Sequence, residues 1–346
     1  MFSKIKHKIE QELASYIRSI NKLYSLNKIS PLLSDSINNF ISRKGKRVRP
    51  LLFAVGYLGF AKKAAPGLYR SAVSLELLHD FMLVHDDIID KSATRRGKPS
   101  MHEMLNRHLV NYKNIKFDGQ DLTIVAGDVM YAMALEAFLS IKEDMNRKEL
   151  ALKKLIEAAL YTGSGEFIEL LYGAKKIDEI TKDDIYRIYD LKTANYTFAT
   201  PLSMGATLGG ADKKQIKALF DFGIYLGRAF QIKDDIIGLF GKERKIGKSN
   251  LTDLQEAKKT ILIWYAYNKS GRKDKSAIKK IFAKIDVNKN DLINMRKIVL
   301  NSGTLDYAER EICALINKAN SLHSSFKMRS SYKNSLLAYS KEMLKL

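Results

Sequence analysis

Apolar residues recur every three or four positions along almost the whole chain, and this spacing predicts helices rather than strands. In the first predicted helix, residues 4–26, the spacing places five large apolar side chains on one face: Ile5, Ile9, Leu13, Tyr16 and Ile20. A break over 27–31 follows. Later helices are predicted from about residue 32 and over 51–63, 67–91, 121–142, 148–172, 183–209 and 213–240, with shorter helices over 252–346.

The segments between these helices are polar or basic. Residues 42–50 are predicted to form a basic turn, and the polar stretch 106–120 an exposed loop. We find no convincing strand pattern, internal repeat or linker that divides the chain. The sequence therefore predicts one all-α domain, a large helical bundle over residues 1–346.

Composition is that of an ordinary globular protein, with 46% hydrophobic and 28% charged residues among 346. Cys313 is the only cysteine, which excludes an internal disulfide and a zinc site built on cysteine pairs, and it fits a reducing, cytoplasmic compartment. The longest apolar run, about residues 51–61, is shorter than the roughly 20 residues that span a bilayer. We therefore predict no transmembrane segment.

The formal charge of +21 is concentrated in residues 241–346 and raises three kinds of polyanion as ligands: nucleic acid, an anionic membrane and phosphorylated substrates. We interpret most of these lysines as a solvated surface. Because no basic stretch interleaved with aromatic residues occurs, we expect no nucleic-acid partner.

Two acidic pairs that interrupt apolar helical segments carry the strongest chemical signal. Asp86 and Asp90 are four positions apart and share a helix face, with Asp87 between them, and Asp234 and Asp235 form the second pair. Carboxylates without histidine or cysteine partners suit a hard cation such as Mg²⁺, which takes further ligands from water and phosphate. A solvated acidic face is the alternative, but carboxylates inside an apolar segment are seldom buried unless they are paired or bind metal.

Basic residues supply the complement to these carboxylates. The segment GKRVRP at 45–50 places three cations before an apolar helix, and TRRG at 94–97 follows the first acidic pair. Arginine binds phosphate in a bidentate manner and lysine acts as a point charge. Further candidates are Lys192, Lys245, Lys248 and Lys258. Together with the carboxylates, these residues imply diphosphates held between Mg²⁺ and cationic side chains.

With these motifs in order along most of its length, the chain resembles the polyprenyl synthetase family, the trans-isoprenyl diphosphate synthases. LLHDFMLVHDDIID resembles the first aspartate-rich motif of the family, TRRG the basic turn that follows it, and FQIKDDIIG the second aspartate-rich motif. AGD at 126–128 and the Lys–Thr pair at 192–193 also lie where the family has them. The resemblance implies an all-α isoprenoid synthase fold with a central active-site cavity.

The resemblance also implies roles for individual residues. Asp86 and Asp90 would bind Mg²⁺ on the allylic side with Asp87 in support, and Asp234 would hold the remaining metal with Asp235 in support, giving three ions per site. Contacts to the allylic diphosphate are implied for Arg95, Lys192, Lys245 and Lys258. Contacts to isopentenyl diphosphate are implied for Lys46, Arg49, His79 and Arg96. Stabilisation of the carbocation by oxygen dipoles is implied for Thr193 and Gln231.

The implied reaction is a head-to-tail condensation of isopentenyl diphosphate with an allylic diphosphate. The diphosphate leaves, the isopentenyl double bond attacks the allylic cation, and a proton is lost. Two positions depart from the family pattern: Gly238 stands where many members have a third aspartate, and Ala257 stands where members have the glycine of an EGK sequence. Gly238 cannot be a metal ligand, and the placement of Lys258 depends on the altered turn.

The family resemblance also bears on product length, since the helix before the first aspartate motif lines the pocket for the growing chain. Phe81 and Met82 precede Asp86 by five and four positions, with Leu77 and Leu78 one turn deeper. One phenylalanine beside a methionine resembles archaeal-type geranylgeranyl diphosphate synthases, so we expect a twenty-carbon product. A fifteen-carbon product comes next and longer chains last, and the alternative is that both side chains only fill the core.

Three rival interpretations stay open at this point. A terpene cyclase shares an aspartate-rich motif on an all-α fold but needs no isopentenyl diphosphate site. A non-catalytic subunit of a heteromeric synthase would lack aspartate motifs that this chain keeps. A basic protein that binds nucleic acid or a membrane surface rests on the net charge alone. The family also implies a homodimer.

Overall fold

The computed structural model describes residues 1–241 and 249–343, and helices account for most of them. The chain divides into two compact units: Met1–Leu152 with Met204–Ala211, and Lys153–Ser203 with the described part of Asp212–Leu346. Because a compact unit need not fold independently, the single-domain interpretation stays a prediction. In the described part of the chain, every helix is too short or too polar to cross a bilayer.

The first unit is built on helices whose buried faces follow the predicted periodicity. All five apolar residues expected on one face of the first helix are buried. The helices of this unit are α1 (Phe2–Tyr24), α2 (Leu26–Ile29), α3 (Pro31–Ile41), α4 (Val48–Phe60), α5 (Leu68–Ile89), α6 (Met101–Leu109) and α7 (Gly119–Phe138), and α8 (Met145–Ala174) begins in it.

The helices of the second unit surround the long helix α11. They are the remainder of α8, then α9 (Lys182–Tyr189), a π-helical segment (Asp190–Ala199), α10 (Thr200–Leu208), α11 (Lys213–Phe240), α12 (Thr252–Gln255), α13 (Ile261–Lys269), α14 (Arg272–Phe282), α15 (Lys289–Asn301), α16 (Thr304–His323) and α17 (Ser330–Met343). The last residues of α10 belong to the first unit. A 3₁₀ turn, Ile177–Glu179, precedes α9.

A small β-hairpin follows α5, where we expected a basic turn and no strand. Strands β1 (Thr94–Arg95) and β2 (Lys98–Pro99) pair antiparallel. The two residues between them, Arg96 and Gly97, have φ angles of 54° and 72°. Two consecutive left-handed residues form the turn that best matches the twist of a hairpin. The absence of strands was therefore a wrong prediction here, because strands of two residues leave no alternating pattern to detect.

The exposed loop predicted over 106–120 is shorter than expected. Helix α6 continues to Leu109, and α7 begins at Gly119. The Asp118 side chain caps α7, and the Asn106 side-chain oxygen accepts a hydrogen bond from the Gly119 amide at 2.7 Å. Asn106 belongs to α6 and Asp118 caps the start of α7. Polar composition alone therefore overestimated the length of the loop.

The predicted helix 183–209 changes its winding near the middle. Residues Asp190–Ala199 have wider π-helical turns, which are rare and often occur at functional sites. This segment lies close to α11 because Gly223 and Gly227 leave room for it: a β-carbon would lie 2.4 Å from the Ala199 Cα and 2.3 Å from the Ala194 Cα. The close approach places Thr193 beside the same face of α11.

Candidate active site

The first aspartate-rich segment lies at the end of α5 in the first unit. Asp86 and Asp90 are half-buried, and the Asp90 amide donates to the Asp86 carbonyl at 2.7 Å as the helix ends. Asp87 points the other way and is fully buried. Burial raises the pKa of Asp87, and the Arg95 guanidinium partly opposes that shift. Of the three carboxylates, Asp86 and Asp90 are the two that are partly exposed to solvent.

The Arg95 guanidinium is paired with the Asp87 carboxylate. Its Nε donates to the Asp87 Oδ1 at 2.7 Å, and its Nη2 lies 2.5 Å from the same oxygen. A second arginine, Arg43, is buried and donates to the carbonyl oxygens of Arg95 and Pro99 at 3.1 and 2.8 Å. Arg43 thereby fixes the hairpin, a role that its sequence position did not indicate.

His79 and Arg96, both expected to contact isopentenyl diphosphate, lie in a cluster of buried charges. Arg96 Nη2 lies 3.2 Å from the Asp80 Oδ1 and 3.4 Å from the Glu76 Oε1. Burial and then the charges of Arg49 and Arg96 hold the pKa of His79 well below its usual value. His79 is therefore neutral at pH 7 and can offer a ring N–H without adding charge.

The three cations of the GKRVRP segment have different environments. Lys46 is exposed and Arg49 half-buried at the start of α4. Arg47 is 2% exposed and is paired with Glu10 at 3.0 Å and Glu76 at 2.5 Å. Arg47 therefore stabilises the fold, whereas the side chains of Lys46 and Arg49 reach solvent.

Phe81 belongs to an aromatic cluster inside the first unit. Its ring centroid lies 4.8 Å from that of His85 on α5 and 5.2 Å from that of Tyr131 on α7. The His85 ring fits because residue 127 is glycine, where a β-carbon would lie 2.2 Å from the His85 Cε1. Met82 is half-buried beside Phe81 in sequence. Tyr131 was missed by sequence reasoning, since no motif includes it.

A cavity of about 150 Å³ lies within the second unit. It brings together every described residue of this unit that the sequence singled out for the site: Lys192, Thr193, Gln231, Asp234, Asp235 and Lys258. Asp234 is exposed, while Asp235 is 7% exposed. Burial raises the pKa of Asp235 well above its usual value, although hydrogen bonds from Tyr189 and Gln231 oppose that shift.

Hydrogen bonds connect several of these cavity residues. Thr193 Oγ1 donates to the Gln231 Oε1 at 2.6 Å, and Gln231 Nε2 donates to the Asp235 Oδ1 at 2.9 Å. The Tyr189 hydroxyl makes a short hydrogen bond to the other Asp235 oxygen and accepts one from the Ile261 amide at 2.9 Å. Asp235 is thus fixed from both sides, and its supporting role beside Asp234 stays a prediction.

Lys192 is clamped by two glutamates of α8. Its Nζ lies 2.5 Å from the Glu169 Oε2 and also forms a close ion pair with Glu166. These glutamates were missed by sequence reasoning. Their spacing of three positions on one helix was the available signal. A diphosphate that binds Lys192 has to compete with both carboxylates.

Two lysines and a strained turn form another side of the cavity. Lys258 Nζ lies 2.5 Å from the Glu256 Oε2. Ala257 has a φ of 52°, so it occupies the left-handed region where glycine is favoured. Lys259 is 7% exposed, donates to the Gly173 carbonyl at 2.6 Å and lies over the Phe282 ring. Burial lowers the pKa of Lys259 to about 8.

The glycine that ends the second acidic motif lies next to another carboxylate. A β-carbon at Gly238 would lie 2.9 Å from the Asp253 Oδ2, and Asp253 lines the cavity. An aspartate at 238 would therefore meet a like charge at close range.

Trp264 on α13 donates its Nε1 hydrogen to the Ile180 carbonyl at 3.0 Å, and Ile180 also lines the cavity.

Lys245, predicted to contact the allylic diphosphate, and Lys248, a further basic candidate, fall outside the described residues.

Comparison with known proteins shows the family of the chain. The chain matches the polyprenyl synthetase family over residues 30–299. It is 32% identical over 297 residues to the geranylfarnesyl diphosphate synthase of Aeropyrum pernix, covering 84% of this chain and 87% of the relative. It is 30% identical over 299 residues to the geranylgeranyl diphosphate synthase of Sulfolobus acidocaldarius, covering 86% and 85%.

A solved structure shares the fold along the whole chain. Geranylgeranyl pyrophosphate synthase from Corynebacterium glutamicum, complexed with isoprenyl diphosphate and magnesium, matches with a TM-score of 0.90 at 23% identity, covering 100% of this chain and 99% of that one. The predicted all-α isoprenoid synthase fold is confirmed. The chain belongs to the polyprenyl synthetase family and, as predicted, is a prenyl-transferring enzyme.

Proposed function

We propose that the protein condenses isopentenyl diphosphate with an allylic diphosphate, in a Mg²⁺-dependent reaction, to form geranylgeranyl diphosphate. The observation that carries this proposal is the cavity of the second unit, where acidic, basic and neutral oxygen-bearing side chains converge. Lys192 and Lys258 supply charge for a diphosphate, and Thr193 and Gln231 supply oxygen atoms for a cation. No separate nucleophile is needed, because the substrate double bond attacks.

The donor atoms on both units suit Mg²⁺. Asp86 and Asp90 on the first unit and Asp234 on the second offer carboxylate oxygens, the ligands a hard cation prefers. In residues 1–241 and 249–343, no three metal-ligating side chains converge. This fits an ion that keeps water and takes oxygens from a diphosphate. We propose that Asp87 and Asp235 support these ligands and that three ions bind per site.

When bound, Mg²⁺ neutralises charge on the leaving diphosphate. The protein's own residues do the remaining work. Arg95, Lys192 and Lys258, with Lys245, bind the allylic diphosphate, and Lys192 exchanges its glutamate contacts for phosphate oxygens. Lys46, Arg49, His79 and Arg96 bind isopentenyl diphosphate. Thr193 and Gln231 present oxygen dipoles to the allylic cation, which a preorganised low-dielectric site stabilises better than water does.

The aromatic cluster in the first unit supports a twenty-carbon product. Phe81 packs against Tyr131 and His85, so its ring is held in place just before the acidic segment, where we propose that it limits the growing chain. Met82 beside it is more adaptable. The relatives include a geranylgeranyl and a geranylfarnesyl synthase, so a product one isoprene unit longer is the second candidate and a farnesyl product the third.

An exposed apolar face supports the expected homodimer. On α8, Ile156, Leu160, Phe167 and Leu171 lie on one side of the helix and are 43%, 60%, 66% and 54% exposed. A contiguous apolar face on a protein surface commonly marks an interface. A cytoplasmic location stays a prediction.

The deciding experiment is a product assay. Purified protein receives isopentenyl diphosphate with dimethylallyl, geranyl or farnesyl diphosphate, with and without Mg²⁺, and the dephosphorylated products are sized by chromatography. We expect Mg²⁺-dependent extension that stops mainly at twenty carbons. A hydrocarbon released from an allylic substrate alone would indicate a cyclase, and no extension with any primer would indicate a non-catalytic subunit.

A further inference from the structure

Tyr189, outside every motif of the sequence, lies at the centre of a hydrogen-bond chain in the second unit. We propose that Tyr189 is a positioning residue that fixes, through Asp235 and Gln231, the direction in which Thr193 presents its oxygen to the cavity. The inference rests on the proposed condensation and adds a residue to it.

One end of the chain has a fixed direction because a backbone amide can only donate. The Ile261 N–H donates to the Tyr189 hydroxyl oxygen at 2.9 Å. The single hydroxyl proton of Tyr189 therefore goes to its other partner, the Asp235 Oδ2. Tyr189 is 5% exposed and Asp235 is 7% exposed, so water is a poor substitute for either bond.

The other end is fixed because both Asp235 oxygens accept hydrogen bonds, Oδ2 from Tyr189 and Oδ1 from Gln231. Gln231 must turn its amide N–H toward the Asp235 Oδ1, 2.9 Å away, and this leaves its carbonyl oxygen toward Thr193. Thr193 then donates its only hydroxyl proton to that carbonyl at 2.6 Å. The Thr193 oxygen therefore presents its lone pairs to the cavity. The lone pairs are the negative end of the hydroxyl dipole, which stabilises a cation.

Tyr189 itself lines the cavity, and removing its hydroxyl would loosen this arrangement while leaving the Thr193 and Gln231 side chains in place. The buried Asp235 Oδ2 would lose a donor, and the carboxyl group would be free to rotate. Gln231 would no longer be held in one orientation. If its amide flips, its N–H faces Thr193, and the Thr193 hydrogen turns toward the cavity with the wrong sign for a carbocation.

The chain offers a matched control one helical turn earlier. The Tyr186 hydroxyl on α9 donates to the Glu311 Oε2 at 2.6 Å, so Tyr186→Phe also deletes one tyrosine–carboxylate hydrogen bond in the second unit. Tyr186 does not line the cavity. A loss that comes only from weaker packing or stability should therefore affect both variants alike.

The first test compares the steady-state kinetics of wild type, Tyr189→Phe and Tyr186→Phe. We expect Tyr189→Phe to lower kcat about 10-fold while KM for the allylic diphosphate stays within about 2-fold, and Tyr186→Phe to keep both. Equal losses in the two variants, an unchanged kcat in Tyr189→Phe, or a change confined to KM would overturn the proposal. Absence of turnover in wild type would instead contradict the proposed function.

The second test exchanges the donor and the acceptor inside the chain. In Asp235→Asn the new amide can donate to the Gln231 carbonyl and reverse it, so kcat should fall by at least about 10-fold. Gln231→Glu alone places two carboxylates together and should also lose activity. In the double variant the amide at position 235 donates to the carboxylate at position 231, which also accepts from Thr193. The original net charge is restored. We expect kcat of the double variant to be at least about 10-fold higher than that of either single variant. A double variant whose kcat is no higher than those of the single variants would refute the assigned direction of the hydrogen bonds.

Discussion

At the scale of single residues, Lys259 links burial to pH. Burial lowers its pKa from 10.5 to about 8, so the unfolded chain binds more protons than the folded protein between those values. Stability should therefore rise from pH 8 to pH 10.5 by this contribution. Lys259→Met removes it. We expect the stability difference between wild type and Lys259→Met to shift in favour of wild type as the pH rises from 7.5 to 9.5.

Urea unfolding at the two pH values measures that difference. Lys269→Met, which alters an exposed lysine at the end of α13, controls for general effects of charge loss. A difference that is the same at both pH values would contradict a depressed pKa for Lys259.

Asp86 tests the metal assignment at the same scale. Asp86→Asn keeps the shape of the side chain but removes its charge, so we expect kcat to fall by about 100-fold or more and half-maximal turnover to need more Mg²⁺. The fold should persist, because Asp86 is only half-buried. Asp35→Asn, an exposed carboxylate on α3, is the control. Near-normal turnover and Mg²⁺ dependence in Asp86→Asn would remove Asp86 from the site.

At the scale of residues, the sequence indicated which side chains carry the chemistry better than it indicated which side chains they contact. It selected the acidic pairs and Lys192 from their residue types and spacing, and their roles in the site stay predictions. Residue type alone could not distinguish buried Arg47 from Arg49, although the family resemblance implied a substrate contact for Arg49 and none for Arg47. Nor could it find Tyr189, whose partner Asp235 is 46 positions away. Hydrogen bonds over such separations leave no local pattern.

At the scale of elements, the turn at Ala257 carries strain that glycine would relieve. A left-handed L-residue costs about 1–2 kcal/mol, partly offset by the greater chain entropy of glycine when unfolded. Ala257→Gly should therefore raise the free energy of unfolding by about 0.5–1 kcal/mol. Gly303→Ala creates the same conflict at a φ of 68° with no atom nearby and should be destabilising. Denaturant titration compares them, and a destabilised Ala257→Gly would contradict the strain.

The packing of α5 against α7 determines a second prediction. Phe81→Ala removes the ring held by Tyr131 and His85 and leaves room for a longer chain, so the major product should lengthen beyond that of wild type. Phe53→Leu, a buried change on α4 in the same unit, controls for loss of stability. Chromatography of dephosphorylated products reads both, and an unchanged distribution in Phe81→Ala would exclude Phe81 as the stop for chain growth.

Long elements were predictable because their periodicity repeats over many turns, as the buried face of α1 shows. Short or irregular ones were not. The hairpin at 94–99 depends on two left-handed residues, and the π-helical turns of 190–199 depend on close packing at Gly223 and Gly227. Such features arise from backbone angles and tertiary contacts, which hydrophobic spacing does not encode.

At the scale of the whole molecule, the apolar face of α8 predicts self-association. Phe167→Glu places a charge in the middle of that face, so we expect a smaller molar mass than wild type by light scattering after size-exclusion chromatography. Ile285→Glu, at an 87% exposed residue that is not part of the apolar face of α8, should leave the mass unchanged. A wild-type protein of monomer mass, or an unaffected Phe167→Glu variant, would contradict an interface on this face.

The position of Trp264 has a practical consequence. The chain has one tryptophan, and its indole N–H donates a hydrogen bond to Ile180, which lines the cavity of the second unit. All indole fluorescence of the protein therefore originates at one point beside that cavity. The enzyme carries its own optical reporter, and titrating an allylic diphosphate against its emission gives binding isotherms without a label or a coupled reaction.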